Sequence, residues 1–157
     1  MKHNKIVRTS GLFAGALLAV LALASVAAGA QPGASWDKAP NIVSVMGQAQ
    51  SLPAGASGWY AVRYTGGMQD EIDLSTNGVG GVSFAIYTPD EIAAWASTGS
   101  LSPIGVGSAD PSEASYDLTW LGHPETVDGT IYYVQVTNSN AFATQFMLNA
   151  SATPLAQ

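Results

Sequence analysis

Cysteine is missing from all 157 residues. That absence excludes disulfides, thiol nucleophiles, thiolate metal sites and a lipid-modified cysteine. Histidine occurs twice, at His3 and His123. So few imidazoles cannot build the multi-histidine sites of zinc or copper enzymes. A Ser-His-Asp triad would have to use His123, in the turn Leu121-Gly122-His123-Pro124, and no Gly-x-Ser-x-Gly elbow supplies its nucleophile. Basic residues are scarce too: Lys2, Lys5, Arg8, Lys38 and Arg63 stand against 11 acids.

Three of those five bases precede a run from Gly11 to Ala28 that carries no charge. The run ends in Ala28-Gly29-Ala30, followed by Gln31-Pro32. A basic start, an apolar stretch and small residues at −1 and −3 predict a signal peptide cleaved after Ala30. The stretch is rich in Ala and Gly and marginal for a bilayer span, which needs about 20 apolar residues. Removing residues 1–30 leaves 127, one domain's worth of chain. Only Lys38 and Arg63 then oppose the 11 acids, a net charge of −9. A chain this acidic repels nucleic acid and anionic lipid and suits divalent cations, cationic surfaces or neutral glycans. The expected location is secreted, extracellular or at the cell surface, with no membrane contact after cleavage.

The remaining sequence divides into a flexible lead at 31–40, a β-domain at 41–152 and a tail at 153–157. Short runs at 42–52, 58–64, 71–75, 82–87, 104–106, 115–121, 130–138 and 144–151 are separated by Gly, Pro, Asn and Asp. Within them apolar residues alternate with polar ones. Tyr60, Val62 and Tyr64 share one face; so do Ile72 and Leu74; Val82, Phe84 and Ile86; Tyr116, Leu118 and Trp120; Tyr132, Val134 and Val136; and Phe146, Leu148 and Ala150. Period two with one buried face predicts an all-β, antiparallel, jelly-roll-like sandwich of about eight strands. One short helix interrupts: Thr88-Pro89-Asp90-Glu91 reads as an N-cap, a proline at the first turn and a capping-box glutamate, and Gly99 ends it. Ile92, Trp95 and Ala96 share its inner face, with Trp95 as the expected anchor.

Three segments carry a resemblance. They are Gly58-Trp59-Tyr60-Ala61-Val62-Arg63-Tyr64, then Phe84-Ala85-Ile86-Tyr87-Thr88-Pro89, then Asp128-Gly129-Thr130-Ile131-Tyr132-Tyr133-Val134-Gln135-Val136. Together, over 58–151, they resemble the bacterial pre-peptidase C-terminal domain family. The resemblance implies a jelly-roll-like sandwich found on secreted proteins, often appended to peptidases, acting as a non-enzymatic accessory or binding module. It implies no catalytic residues. The helix-bearing insertion at 89–107 is longer than a minimal member needs.

Carboxylates are the one plentiful chemical group. Asp70, Glu71 and Asp73, with Asp110, Glu113 and Asp117, are the candidate ligands for calcium, which takes six to eight oxygens. Glu71 and Asp73 lie two apart on a strand and so face the same way. The bland alternative is an acidic rim that keeps the domain soluble. The aromatics outside the regular core sets are Trp36, Trp59, Tyr87, Trp95, Tyr133 and Phe142. Of these, Trp59, Tyr133 and Trp95 are the candidate ligand-stacking residues; the alternative is burial under the helix. The leading expectation is a non-catalytic module that binds a glycan, the cell envelope or a partner protein. Two readings stand beside it. One is a subunit of an extracellular fibre or coat, self-associating through the edge of a strand at 42–52. The other is a small hydrolase using two carboxylates across a cleft.

Overall fold

Two antiparallel sheets stack face to face in the computed structural model, which describes residues 31–64, 68–109, 117–122 and 129–154, with backbone alone at 68–70, 109 and 152–154. The strands are β1 (Gln50–Leu52), β2 (Ser57–Arg63), β3 (Met68–Ser75), β4 (Val82–Tyr87), β5 (Gly105–Val106), β6 (Ser108–Ala109), β7 (Leu118–Leu121), β8 (Ile131–Asn138) and β9 (Thr144–Pro154). One sheet runs β1-β9-β3-β7-β6 and the other β2-β8-β4-β5. The antiparallel pairs β1–β9, β2–β8, β3–β7 and β4–β5 are the rungs of one long hairpin. That hairpin is folded over so that β9 also pairs with β3, and β8 with β4. This is the strand order of a jelly roll. Helix α1 (Pro89–Thr98) stands at the hairpin tip, between β4 and β5.

Alternation fills the interior as expected. Tyr60, Val62, Tyr64, Ile72, Leu74, Val82, Phe84, Ile86, Trp120, Tyr132, Val134, Val136, Phe146 and Leu148 are all buried between the sheets. Leu118 and Ala150 pack on that core partly exposed; Tyr116 lies outside the described residues. Each large apolar side chain so placed contributes about 1.5–3 kcal/mol. Edge-to-face contacts join the two sheets, with Tyr60 to Phe146 at 6.3 Å and Trp120 to Tyr132 at 5.2 Å between ring centroids. Such pairs add about 0.5–1.5 kcal/mol each beyond area.

The expected strand at 42–52 is corrected. The Asn41 side chain accepts a hydrogen bond from Val43 N at 3.0 Å and caps a 3-10 turn over Ile42–Ser44. Gly47, at φ 68, turns the chain again, and only Gln50–Leu52 pairs with β9. An asparagine ahead of the run offers the backbone a local partner, and that partner competes with a sheet ladder. Spacing by three puts Ile42 and Val45 on one side of the turn, where both are 0% exposed. This segment touches β2 and β9 and so closes one side of the sandwich.

Helix α1 carries the expected capping box between Thr88 and Glu91, with Gly99 left-handed at its end. Its anchor differs from expectation. Ile92 is 5% exposed, against 39% for Trp95. The first turn of the helix lies on the outer face of the four-stranded sheet, where Ile92 packs with Trp59 and Tyr87. One turn further on, Trp95 stays at the surface. Among the described residues no helix is long and apolar enough to cross a membrane, and the segment read as a signal peptide lies outside them.

Candidate ligand-binding face

The four-stranded sheet turns an unusual row of side chains outward. Register places Arg63 beside Ile131, Ala61 beside Tyr133, and Trp59 beside Gln135. Tyr87 follows beside Tyr133 on β4. The segment 31–40, read from sequence as a flexible lead, pairs with the free edge of β2. Gly33 and Trp59 exchange two backbone hydrogen bonds of 2.9 Å, and Ala61 N donates to Pro40 O at 2.9 Å. An edge strand needs such cover for its unpaired amides. The same pairing sets Trp36 on the ring of Tyr133, at 5.6 Å between centroids and 74° between planes. Trp36 stays 37% exposed, and Tyr133 is half-buried.

Beside this pair is a depression of ≈ 100 Å³ lined by Asn41, Ala61, Val62, Arg63 and Ile131. Ile131 and Tyr133 are i, i+2 neighbours, about 7 Å apart along β8, so the depression and the aromatic pair adjoin. One guanidinium nitrogen of Arg63, Nη1, donates to Gly129 O at 3.1 Å. Among the described residues Arg63 has no other hydrogen bond and no ion pair. Asn41 uses its Oδ1 in the cap; its amide protons bond nothing among the described residues.

The three stacking candidates separate. Trp59 is 6% exposed and lies 5.6 Å from Tyr87, so it has no free ring face. Covered by α1 and the 31–40 segment, it belongs to a second small core. Burial also pushes the Tyr87 hydroxyl above the usual tyrosine range. Tyr133 is at the surface with Trp36, and Trp95 is exposed by itself on α1. Sequence reasoning missed Arg63 and Asn41. The available signal was that Arg63 is one of two bases left among residues 31–157.

The acidic candidates stand on the other sheet. Glu71 and Asp73 face outward on β3, opposite in sense to the buried Ile72 and Leu74. Asp73 Oδ1 accepts from the Thr119 hydroxyl at 2.8 Å, and Glu71 Oε2 from the Ser151 hydroxyl at 3.3 Å. Asp117 directly precedes β7. Asp70 pairs with Ala152 through β3, its side chain undescribed. Asp110 and Glu113 lie outside the described residues, as does His123. Among the described residues no three acidic or histidine side chains converge as a metal site.

No protein-family model and no curated protein sequence matches the chain. Its fold is similar to a pre-peptidase C-terminal domain. That solved structure is from the collagenase of Bacillus anthracis, at 8% identity and a TM-score of 0.47, covering 68% of this chain and 90% of that one. The chain is also similar to PliG of Aeromonas hydrophila, a periplasmic lysozyme inhibitor of g-type lysozyme. There the identity is 17% and the TM-score 0.47, over 67% of this chain and 82% of that one. At these identities the likeness is one of fold.

Proposed function

We propose that this chain is an exported, non-catalytic sandwich module that binds a partner through the outer face of its four-stranded sheet. One observation carries the reading: the pair of Tyr133 on β8 and Trp36 on the 31–40 segment stays partly exposed, beside a depression holding an arginine with no ion pair among the described residues. Exposed aromatics and arginine are the side chains that contribute most at binding surfaces, and sheet-borne sites are held more rigidly than loop sites. The non-catalytic reading rests on the missing cysteine and the scarcity of histidine. Export rests on the N-terminal pattern. The target belongs to the classes glycan, cell-envelope component or protein.

Assembly by strand exchange has less support, because 31–40 and 42–52 cover the edges of β2 and β9 in their own molecule. Calcium has less support than an acidic rim, since Glu71 and Asp73 each already accept a hydrogen bond from a neighbouring hydroxyl. The test is retention of the purified chain on envelope polysaccharide, envelope protein fractions and a glycan panel, compared with W36A and Y133A. The wild type binds at least one, and each variant binds at least tenfold more weakly. No binding anywhere, or unchanged binding by both variants, overturns the reading.

A further inference from the structure

Residues 31–157 carry one arginine and 11 acids. In such a chain a guanidinium has many potential partners, yet Arg63 contacts a single carbonyl, that of Gly129, and no carboxylate among the described residues. A guanidinium presents five donors in a planar fork that matches a carboxylate. Nη1 is engaged, so four donors face the depression or solvent. Asn41 lines the same depression, and its amide protons bond nothing among the described residues. The one side-chain acceptor among the lining residues, Asn41 Oδ1, already accepts from Val43 N, so the side-chain polar groups left over are donors. Ala61 and Ile131, whose side chains are on this outer face, supply apolar walls. The volume, ≈ 100 Å³, is well above the ~10–15 Å³ that one water needs, so a carboxylate fits.

Resting on the binding face argued above, we propose that this depression takes the carboxylate of an acidic sugar, with Arg63 as its principal partner and Asn41 as a second donor. The sugar's apolar ring face then lies outside the depression, against Trp36 and Tyr133, about 7 Å along β8. The aromatic pair favours a pyranose over an acidic peptide, since a peptide carboxylate would use Arg63 and leave the rings unengaged. The chain's net charge of −9 over residues 31–157 disfavours dense polyanions through mutual repulsion. The ligand is therefore a glycan in which carboxylated sugars are short or spaced by neutral ones.

The probes are trigalacturonic acid, its methyl ester and a hexaglutamate peptide, titrated calorimetrically at low salt into the purified chain and into R63Q, R63K and W36A. Circular dichroism checks that each variant is folded. Trigalacturonic acid binds. R63Q and methyl esterification each weaken it at least tenfold, R63K weakens it less than R63Q, and added salt weakens the acid more than the ester. W36A weakens acid and ester alike. Equal binding of acid and ester, an unaffected R63Q, or no binding of the acid overturns the carboxylate site. Loss in W36A with an unaffected R63Q sinks this proposal and leaves the binding face standing. Tighter binding of hexaglutamate than of trigalacturonic acid overturns the sugar assignment.

Discussion

The side-chain amide of Asn138 donates to the carbonyl of Leu52, 86 residues earlier, at 3.1 Å. It also donates to Pro53 O at 3.0 Å and Phe142 O at 2.9 Å, while its Oδ1 accepts from Asn140 N and the Thr144 hydroxyl. One fully buried amide thus ties the β1–β2 connection to the β8–β9 turn. Leaving one buried acceptor unsatisfied costs about 1–3 kcal/mol. We expect N138A to lose at least about 3 kcal/mol in urea unfolding, and N138D, which cannot donate when ionised, to lose as much. A loss under about 1 kcal/mol in both would show that the network does not hold this end of the sandwich.

Gly105 faces the indole of Trp120 across the core. A Cβ built there would be 2.2 Å from Trp120 Nε1. Its backbone is outside the left-handed region, so the conflict is purely steric. Overpacking of this kind costs about 1–3 kcal/mol. G105A should lower the melting temperature and alter the near-ultraviolet circular dichroism of the buried tryptophan. An unchanged spectrum with unchanged stability would contradict the packing.

Tyr60 is wholly buried, and its hydroxyl has no hydrogen-bond partner among the described residues. Burial pushes its ionisation well above the ordinary value of 10.0. Above that pH the unfolded chain releases a proton that the folded chain retains, so stability is full below about pH 10 and falls as pH rises. In Y60F the orphan hydroxyl is gone. The variant should match or exceed the wild type at pH 7, and above pH 10 its advantage should grow by about 1.4 kcal/mol per pH unit. Parallel pH profiles would rule this out. Tyr87, also raised by burial, leaves some alkaline sensitivity in both proteins.

The helix supplies a paired comparison. Ile92 is buried against Trp59 and Tyr87, whereas Trp95 is 39% exposed. I92A should cost about 2–3 kcal/mol, and W95A about 0.5 kcal/mol or less. The reverse order would mean that Trp95, the residue singled out in the sequence, anchors α1 after all.

The sandwich was legible because its signal is local. Whether Tyr60 or Ala61 faces inward depends on strand period, and the same two-residue rhythm sorted β3, β4, β8 and β9. The capping box of α1 was legible for the same reason, being complete within four residues. The 42–52 run misled because apolar content alone does not separate a strand from a capped 3-10 turn; Asn41 and Gly47 were the contrary signs.

What the sequence determined alone was the class of structure, the inward residues of each strand, the acidic balance, and the poverty in groups suited to thiol or multi-histidine chemistry. Tertiary structure alone decided that Trp59 is interior and Trp36 is not, since the covering pieces, α1 and the 31–40 segment, reach that face from opposite directions in the chain. It alone brought Asn41, Arg63 and Ile131 around one depression. Strand alternation acts over two residues and can be read by eye, whereas these groups meet only through pairing between β2 and a β8 nearly seventy residues away and through the closing turn at Ile42–Ser44.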